Sequence, residues 1–443
     1  MNASFLQVIL FLIAGIAIII LLTAKYRVHA FFALLIACLI TGLGVGMPLP
    51  GLINIVKDGF GNILKSLGLI IVLGTTLGIL LEHTGSTKVM ANYILKKAGE
   101  KNAAWAISIT GFIVGLPVFC DSGYIVLNGL TKSLSKRTGV SIVVMSVSLA
   151  TGLYSVHCLI PPHPGAAAAA GTIGVDFGKL ILYGIIIAIP AMIIGRMWAV
   201  YAGKNIKDVE IEDDDVKEDT SSHPGTLKAF LPVIVPILLI AARSFFTLQN
   251  STENKWEQLL LSLGDPVIAL SIGVLLAFNT KKGWNKNTVS ALLRDAVEKA
   301  GGILVIIGAG GAFGAVLAAT NMGQHFSQTF SLNTLGILFP FLLTFILKTA
   351  QGSSTVAIIT SSSIVLPLLP ALHLDTENGR ILCVLSMGAG SMMISHANDA
   401  YFWVISKFSG LDIKTMLRVY SIATVWMGLT TLLMVYLLSF ILS

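Results

Sequence analysis

Long apolar runs dominate this chain, and they restrict what it can fold into more than any other feature. Runs of about 20 apolar residues, close to the length that an α-helix needs to cross a bilayer, recur along the whole sequence. The chain is 55% hydrophobic and 12% charged, with a mean hydropathy of +0.86, which leaves too little polar surface for a water-soluble globule. The sequence therefore predicts an all-α polytopic membrane protein.

Two elements in the first half interrupt this pattern. The segment from about 103 to 134 contains two short apolar arms joined by a polar turn, which is typical of a re-entrant hairpin. Residues of about 140–172 contain three prolines and two histidines, so we expect a broken helix whose irregular backbone lines a cavity. The lysine-bearing stretch 83–102 is predicted to lie in the membrane interface. The other apolar runs of this half lie near 4–23, 29–47, 64–82 and 178–200.

A hydrophilic segment, 202–224, separates this first half, 1–201, from a second half, 225–443. It carries eight of the 22 acidic residues and predicts a solvated cytoplasmic linker without a binding role. The second half repeats the order of the first, with a hairpin near 334–372 and a broken helix near 380–411. Its other apolar runs lie near 226–247, 264–279, 301–320 and 416–442.

Each half makes about five crossings, and an odd number places the second half in the membrane upside down relative to the first. The basic residues fit an arrangement with both termini outside, since Lys25 and Arg27 then lie inside. The 321–333 connection, predicted outside, has no Lys or Arg. We therefore expect two inverted-topology repeats, each with about five crossings, one of them a broken helix, and one re-entrant hairpin.

Several other classes of protein are disfavoured. The 29 basic residues exceed the 22 acidic ones, but they are scattered through short loops, which argues against a nucleic-acid partner. The four cysteines lie in apolar segments without a CxxC pair, and no Walker A, H-E-x-x-H or G-x-S-x-G motif is present. A metal site from His157, His163 and Asp399 has no supporting spacing, so neither a metal nor a cofactor is expected.

The turn of the first hairpin offers Asp121, Ser122 and Gly123 as substrate-binding residues. A hydroxyl and backbone N–H groups at a helix N-terminus suit an anion. Asp121 lies at a depth where a carboxylate costs about 2.5–3.5 kcal/mol on insertion scales, which suits a proton carrier. A helix cap or a partner for a neighbouring donor explains Asp121 equally well.

The turn of the second hairpin is rich in hydroxyl and amide groups that suit a hydroxylated carboxylate. Its candidate substrate-binding residues are Gln351, Gly352, Ser353, Ser354 and Thr355. Hydrogen bonds from hydroxyls to helix carbonyls account for 360–363, but not for the cluster at the turn. Lys348 can neutralise an anion, but its place near an arm end favours snorkelling to the interface.

Both broken helices bring ionisable and aromatic side chains to membrane depth. The candidate substrate-binding residues here are His157, Pro162, His163, His396, Asn398 and Tyr401. Asp399 joins Asp121 and His157 as a candidate for carrying a proton, because carboxyl and imidazole groups exchange protons readily. The alternative for the second break is a His396–Asp399 pair that satisfies itself.

Three runs carry a resemblance to a known family. They are His157-Cys-Leu-Ile-Pro-Pro-His-Pro164, Gly308-Ala-Gly-Gly-Ala-Phe313 and Asn398-Asp-Ala-Tyr-Phe-Trp403. Together they resemble the gluconate permease family of proton symporters, within the ion transporter superfamily. The resemblance implies uptake of gluconate or a related sugar acid, a homodimer with scaffold and transport domains, and elevator-like movement. It also implies carboxylate binding by Ser353, Ser354 and Thr355.

The first hairpin departs from the family pattern, in which a glutamate-containing turn is followed by valine and glycine. This chain has Cys120-Asp121-Ser122-Gly123-Tyr124 there, so a smaller hydroxy acid or D-serine is an alternative substrate. The expected function is secondary active transport, with protons driving a small hydroxylated monocarboxylate through the inner membrane. Sodium coupling is a further alternative, and a passive channel or an intramembrane enzyme would be a different class.

Overall fold

The computed structural model describes residues 5–99, 102–204, 206, 224–247, 255–320, 335–397 and 399–442, which form helices and connecting turns without a strand. In the first half, helices α1 to α9 are Phe5–Ile20, Ala30–Gly44, Leu49–His83, Ser86–Ala98, Ala103–Gly115, Cys120–Thr138, Ile142–His157, Pro164–Ile173 and Phe177–Gly203. The predicted linker at 202–224 and the predicted outer connection at 321–333 lie almost entirely outside the described residues.

In the second half, helices α10 to α19 are Thr226–Thr247, Lys255–Leu263, Pro266–Phe278, Lys286–Ala319, Leu338–Gln351, Ser354–Val365, Glu377–Met392, Ala400–Ser409, Ile413–Met416 and Ile422–Leu442. Each predicted hairpin is a pair of short helices, α5 with α6 and α14 with α15. Each predicted broken helix is also a pair, α7 with α8 and α16 with α17.

Six helices in the described part of the chain are long and apolar enough to cross a membrane. These spans are Leu6–Thr23, Leu49–His83, Phe177–Gly203, Thr226–Arg243, Lys286–Ala319 and Ile413–Leu442. The all-helical, multi-pass fold predicted from the apolar runs is confirmed.

Helices α3 and α13 are longer than the apolar runs that predicted them, with 35 and 34 residues. At 1.5 Å per residue each measures about 50 Å, well beyond a hydrocarbon core of about 30 Å. The additional turns at their N-terminal ends carry charged residues, such as the exposed Lys57 and Asp58 of α3. Hydropathy missed these turns because charges on one helix face lower the average of the whole segment.

Glycines let α3 and α13 approach each other closely. A Cβ atom on Gly59 would lie 2.7 Å from the carbonyl oxygen of Gly311, so no larger residue fits this crossing without a shift. Each hairpin packs on one of these two helices. A Cβ on Gly78 of α3 would lie 2.9 Å from the carbonyl oxygen of Pro117 in the first hairpin. In the second hairpin, the hydroxyl of Ser363 donates to the carbonyl oxygen of Gly310 in α13 at 2.6 Å.

Candidate functional site

Four helices begin at one cavity of about 500 Å³. They are α6 and α15, which start at the two hairpin turns, and α8 and α17, which start at the two breaks. The cavity is lined by Phe119, Cys120, Asp121, Ser122, Tyr154, His157, Pro164, Lys299, Ile303, Ile306, Gln351, Gly352, Ser353, Ser354, Thr355, Val356, Asp399, Ala400 and Tyr401. The polar interruptions of the sequence thus meet in one place, although they are far apart in the chain.

The first turns of these four helices differ in how many donors they leave available. Ser353 and Asp399 cap their own helices, since their side chains accept hydrogen bonds from the N–H groups of Val356 at 3.3 Å and Tyr401 at 3.0 Å. Helices α6 and α8 have no side-chain cap. Because no side chain caps these first turns, their N–H groups and the positive ends of the helix dipoles suit a negatively charged group in the cavity.

The first break joins two parts of the site. The ring Nε2 of His163 lies 2.6 Å from the carbonyl oxygen of Gly115, the last residue of α5, and accordingly donates to it. His163 therefore ties the break to the first hairpin. The neighbouring His157 lines the cavity, with its ring centroid 4.9 Å from that of His163. Its buried Nδ1 has no hydrogen-bond partner among the described residues.

The second break is centred on Asp399, which accepts hydrogen bonds from three groups. Besides the N–H of Tyr401, these are Lys348 Nζ at 2.9 Å and Ser395 Oγ at 2.5 Å, both to Oδ2. The Lys348 side chain is fully buried, so the prediction that it snorkels to the interface was wrong. An ammonium group can stay buried when a carboxylate pairs with it, and Asp399 supplies that carboxylate.

His396 makes a different contact from the one considered as an alternative. Its Nε2 lies 3.2 Å from the carbonyl oxygen of Thr349, whereas Asp399 pairs with Lys348. The self-satisfying His396–Asp399 pair is therefore wrong, because the lysine of the neighbouring hairpin supplies the cation. Two contacts, Asp399 with Lys348 and His396 with Thr349, hold the end of α14 against the second break.

Asp121 faces the cavity in a less satisfied state than Asp399. In the described part of the chain its side-chain partner is the weakly donating Sγ of Cys120, 3.9 Å from Oδ1, and no cation lies within ion-pair distance. It lies in the first turn of α6 without capping that helix. The geometry thus provides one carboxylate that is fully paired and one that is not.

Not every candidate residue lines the cavity. Gly123 packs against Leu153, where a Cβ atom would lie at 2.8 Å, and Pro162 packs against Gly74. His163 and His396 make the backbone contacts described above, and Asn398 lies outside the described residues. Tyr401 presents its ring to the cavity, while its hydroxyl donates to the carbonyl oxygen of Ala150 at 3.2 Å.

Two of the four hydroxyls at 360–363 bond to helix carbonyls, as the structural alternative predicted, whereas those of Thr360 and Ser361 have no partner among the described residues. Ser362 and Ser363 donate to the carbonyl oxygen of Ile359, which lies three and four residues before them in the same helix, at 2.9 and 3.0 Å. They lie away from the cavity lining. The turn itself, from Gln351 to Thr355, does line it.

Helix α13 contributes one wall that sequence reasoning missed. Lys299, Ile303 and Ile306 recur on one helix face and border the cavity. The Lys299 side chain is 45% exposed and lies 3.0 Å from Asp295. Sequence reasoning began the apolar run at 301 and so placed Lys299 outside the membrane part. The sequence signal for this wall was a lysine one helical turn before an apolar helix face.

Among the described residues, no group of three or more His, Cys, Asp or Glu side chains is arranged to hold a metal ion. The groups that line the cavity suit recognition of an anion by helix ends, hydroxyls, an amide and a cation, together with protonation of a carboxyl or an imidazole. Such a site can bind and release a ligand.

Comparison with known proteins gives the class first. A gluconate permease of Pseudomonas aeruginosa is 32% identical over 445 residues, which cover 97% of each chain. The D-serine transporter DsdX of Escherichia coli is 30% identical over 97% of this chain and 98% of its own. The crystal structure of the YdaH transporter of Alcanivorax borkumensis has the same fold, with a TM-score of 0.63 at 14% identity, covering 89% and 90% of the two chains. This protein is a multi-pass inner-membrane transporter.

The family follows from the sequence as a whole. The family described as GntP family permease matches residues 6–441, and the chain belongs to that family. The resemblance carried by the proline-histidine run and its two companion motifs is therefore confirmed. Membership defines a permease rather than an enzyme.

Proposed function

We propose that this permease takes up gluconate or a related small hydroxylated monocarboxylate together with protons. The observation that carries the proposal is the convergence of the uncapped N-terminal ends of α6 and α8 on the 500 Å³ cavity. These ends supply N–H donors and positive dipole ends to a carboxylate. Lys299 adds a cation at the same cavity.

The hydroxyl and amide groups of the second hairpin turn provide partners for the substrate's hydroxyl groups. Ser353, Ser354 and Thr355 line the cavity beside Gln351. A ligand without matching hydroxyl groups would leave buried polar groups unpaired, which weakens its binding. Such a lining therefore favours a hydroxylated acid over an apolar one. Ser122 faces them from the first hairpin.

A second candidate substrate is D-serine or a short amino or hydroxy acid. Asp121, which has no cationic partner among the described residues, offers a carboxylate for a substrate ammonium group. The name of the Escherichia coli relative, a D-serine transporter, agrees with this candidate.

Asp121 is the proposed proton carrier. Asp399 accepts three hydrogen bonds, one of them from a buried lysine, so its carboxylate oxygens already have partners within the protein. Asp121 has no such partners, so a proton can be gained and lost there as the substrate arrives and leaves. His157, with its unpartnered Nδ1 beside the cavity, is the alternative relay group.

The inverted repeat is part of the proposal, and α3 and α13 support it. Pairing their first residues, Leu49 and Lys286, also pairs Lys57-Asp58 with Arg294-Asp295. Three buried positions of α3 then match buried positions of α13: Gly59 with Ala296, Ile63 with Ala300 and Ile70 with Ile307. Sequence, length and burial thus agree in one register of the two helices.

The same register identifies the face of α3 that corresponds to the cavity wall on α13. The cavity-lining residues of α13, Lys299, Ile303 and Ile306, correspond to Asn62, Ser66 and Leu69 of α3. The three residues of α3 are exposed here. In the opposite state of an elevator-like cycle, the hairpin turns and their cavity would lie beside this face of α3. A homodimer held by a scaffold that includes these long helices completes the proposal.

The proposed orientation places both termini outside and the 202–224 linker in the cytoplasm. One contact within each half and one contact between the halves are consistent with it. Gln7 Nε2 donates to the carbonyl oxygen of Gly44 at 2.8 Å, and Asn378 Nδ2 to that of Leu442 at 2.8 Å, so each pair shares one side. On the opposite side, His83 stacks on Trp284 with ring centroids 5.8 Å apart.

The test is uptake into proteoliposomes of labelled gluconate, other sugar acids, short hydroxy acids and D-serine. An imposed pH gradient should drive accumulation of one acid, and a protonophore should abolish it. Accumulation that follows a sodium gradient alone would contradict proton coupling. Flux that only equilibrates would indicate a channel, and conversion of the ligand would indicate an enzyme.

A further inference from the structure

Gln351 occupies a special position at the tip of the second hairpin. It is the last residue of α14, and Gly352 follows in the left-handed conformation with φ of 82°. The N–H of Gly352 donates to the carbonyl oxygen of Lys348 at 2.8 Å, which closes the helix. Ser353 then caps α15. The Gln351 side chain is therefore held at the reversal of the chain, and it lines the cavity.

Contacts with the second break fix this end of α14. Lys348 binds the carboxylate of Asp399 at 2.9 Å, three residues before Gln351, and Thr349 receives the ring of His396 on its carbonyl oxygen at 3.2 Å. Two anchors within one helical turn leave little freedom for the backbone of Gln351. Its carboxamide is thus presented to the cavity by a rigid support rather than by a mobile loop.

The carboxamide itself has no partner. Both Nε2 and Oε1 of Gln351 are buried and lack a hydrogen bond to any described residue. A hydroxyl can donate to a carbonyl of its own helix. A carboxamide has two N–H donors and one acceptor oxygen, which need hydrogen-bond partners beyond the helix. Leaving such a group unpaired is costly, so a buried amide that faces a cavity is suited to a ligand.

We propose that Gln351 selects acids that carry a hydroxyl group at the 2-position. In this arrangement Nε2 donates to one carboxylate oxygen of the substrate, and Oε1 accepts from the neighbouring 2-hydroxyl. The pair of contacts matches the adjacent donor and acceptor of a planar amide. An acid without the 2-hydroxyl leaves Oε1 buried and unpaired. This inference rests on the proposed function and names the substrate group that this part of the site recognises.

The test compares two pairs of acids, gluconate with 2-deoxygluconate and glycerate with 3-hydroxypropanoate. Each acid competes with the labelled substrate in proteoliposomes. The unaltered protein should prefer the 2-hydroxy member by about tenfold to a hundredfold, the range expected when a buried polar group is left unpaired. Gln351→Met should reduce this preference to about threefold or less, mainly by weakening the hydroxylated acid.

Two further variants make the result decisive. Gln258→Met, the same change on an exposed residue of α11, should keep the preference of the unaltered protein. Gln351→Glu keeps the shape of the side chain but replaces the donor by a negative charge, so it should weaken both acids of a pair. Its result also stands in for Gln351→Met if that variant does not fold.

The outcomes separate this inference from the proposed function. No uptake of any acid by the unaltered protein contradicts the proposed function. Uptake with equal affinity for the two members of a pair, or an unchanged preference in Gln351→Met, contradicts the role of Gln351 alone. Uptake of D-serine without any hydroxy acid would contradict the assignment of a hydroxyl group. Unchanged affinities in Gln351→Glu would overturn the contact with the carboxylate.

Discussion

Lys348 and Asp399 form a buried ion pair, with 2.9 Å between Nζ and Oδ2, that joins the second hairpin to the second broken helix. The pair belongs to two elements whose turns both border the cavity. Because Asp399 also caps α17 through Tyr401, the pair fixes a helix N-terminus at the site. It therefore links the stability of the protein to the shape of the binding cavity.

Replacing Lys348 by Met should destabilise the protein by about 3–5 kcal/mol, because it leaves a buried carboxylate without its cation. The double variant Lys348→Met/Asp399→Asn should recover much of this loss, since the asparagine still caps α17 and no charge remains unpaired. Thermal unfolding of the detergent-purified variants measures both effects. A single variant as stable as the unaltered protein would show that the pair contributes nothing.

Asp121→Asn should abolish uptake against a gradient while sparing exchange of substrate across the membrane. The amide keeps the size of the side chain but cannot carry a proton, so the coupling step is lost and binding is not. Uptake driven by a pH gradient and counterflow in the same proteoliposomes measure the two activities. Full concentrative uptake by the variant would remove Asp121 from the proton path and favour His157.

Lys299→Gln should raise the KM for the acid by about twofold to fivefold, the effect expected of an exposed charge, with little change in maximal rate. The effect should shrink at high ionic strength, because a solvent-exposed lysine is screened by salt. Lys286→Gln, at the exposed start of the same helix and away from the cavity lining, is the matched control. Equal KM values for the two variants would argue against a contribution of Lys299 to substrate attraction.

Ser66→Cys should become sensitive to a bulky, impermeant thiol reagent added from outside, and modification should block uptake. Ser66 lies on the exposed face of α3 that corresponds to Ile303 of α13, so a bulky group there would obstruct the opposite position of the hairpins. The native cysteines are buried, but Cys120 borders the cavity, so the same treatment of the unaltered protein measures the background. Ser262→Cys in α11 is the control. Undiminished uptake after complete labelling of Ser66→Cys would contradict the proposed movement.

Tags at both termini should react with an impermeant label in intact cells whose outer membrane has been made permeable. The basic residues predict this orientation, since Lys25 and Arg27 then lie on the cytoplasmic side. A cysteine placed in the 202–224 linker should stay protected until the inner membrane is broken. Protection of either terminal tag from the label would contradict the predicted orientation.

The sequence alone predicted the all-helical membrane fold and the family, because both depend on local features. Apolar runs of spanning length must become helices, since lipid cannot satisfy an open backbone. The prolines near His157 must interrupt a helix wherever they occur. The polar residues at each interruption, such as Asp121 and Gln351, were for the same reason candidates for a site: lipid does not solvate them.

Only the tertiary structure decided which of these groups are satisfied and which are free. Lys348 and Asp399 are 51 residues apart, and His163 meets Gly115 across 48, so no local pattern could pair them. The wall from Lys299 to Ile306 likewise depends on how α13 packs against the hairpins. Burial then determines the consequence: the paired Asp399 becomes a structural anchor, whereas the carboxamide of Gln351 keeps its hydrogen bonds for a ligand.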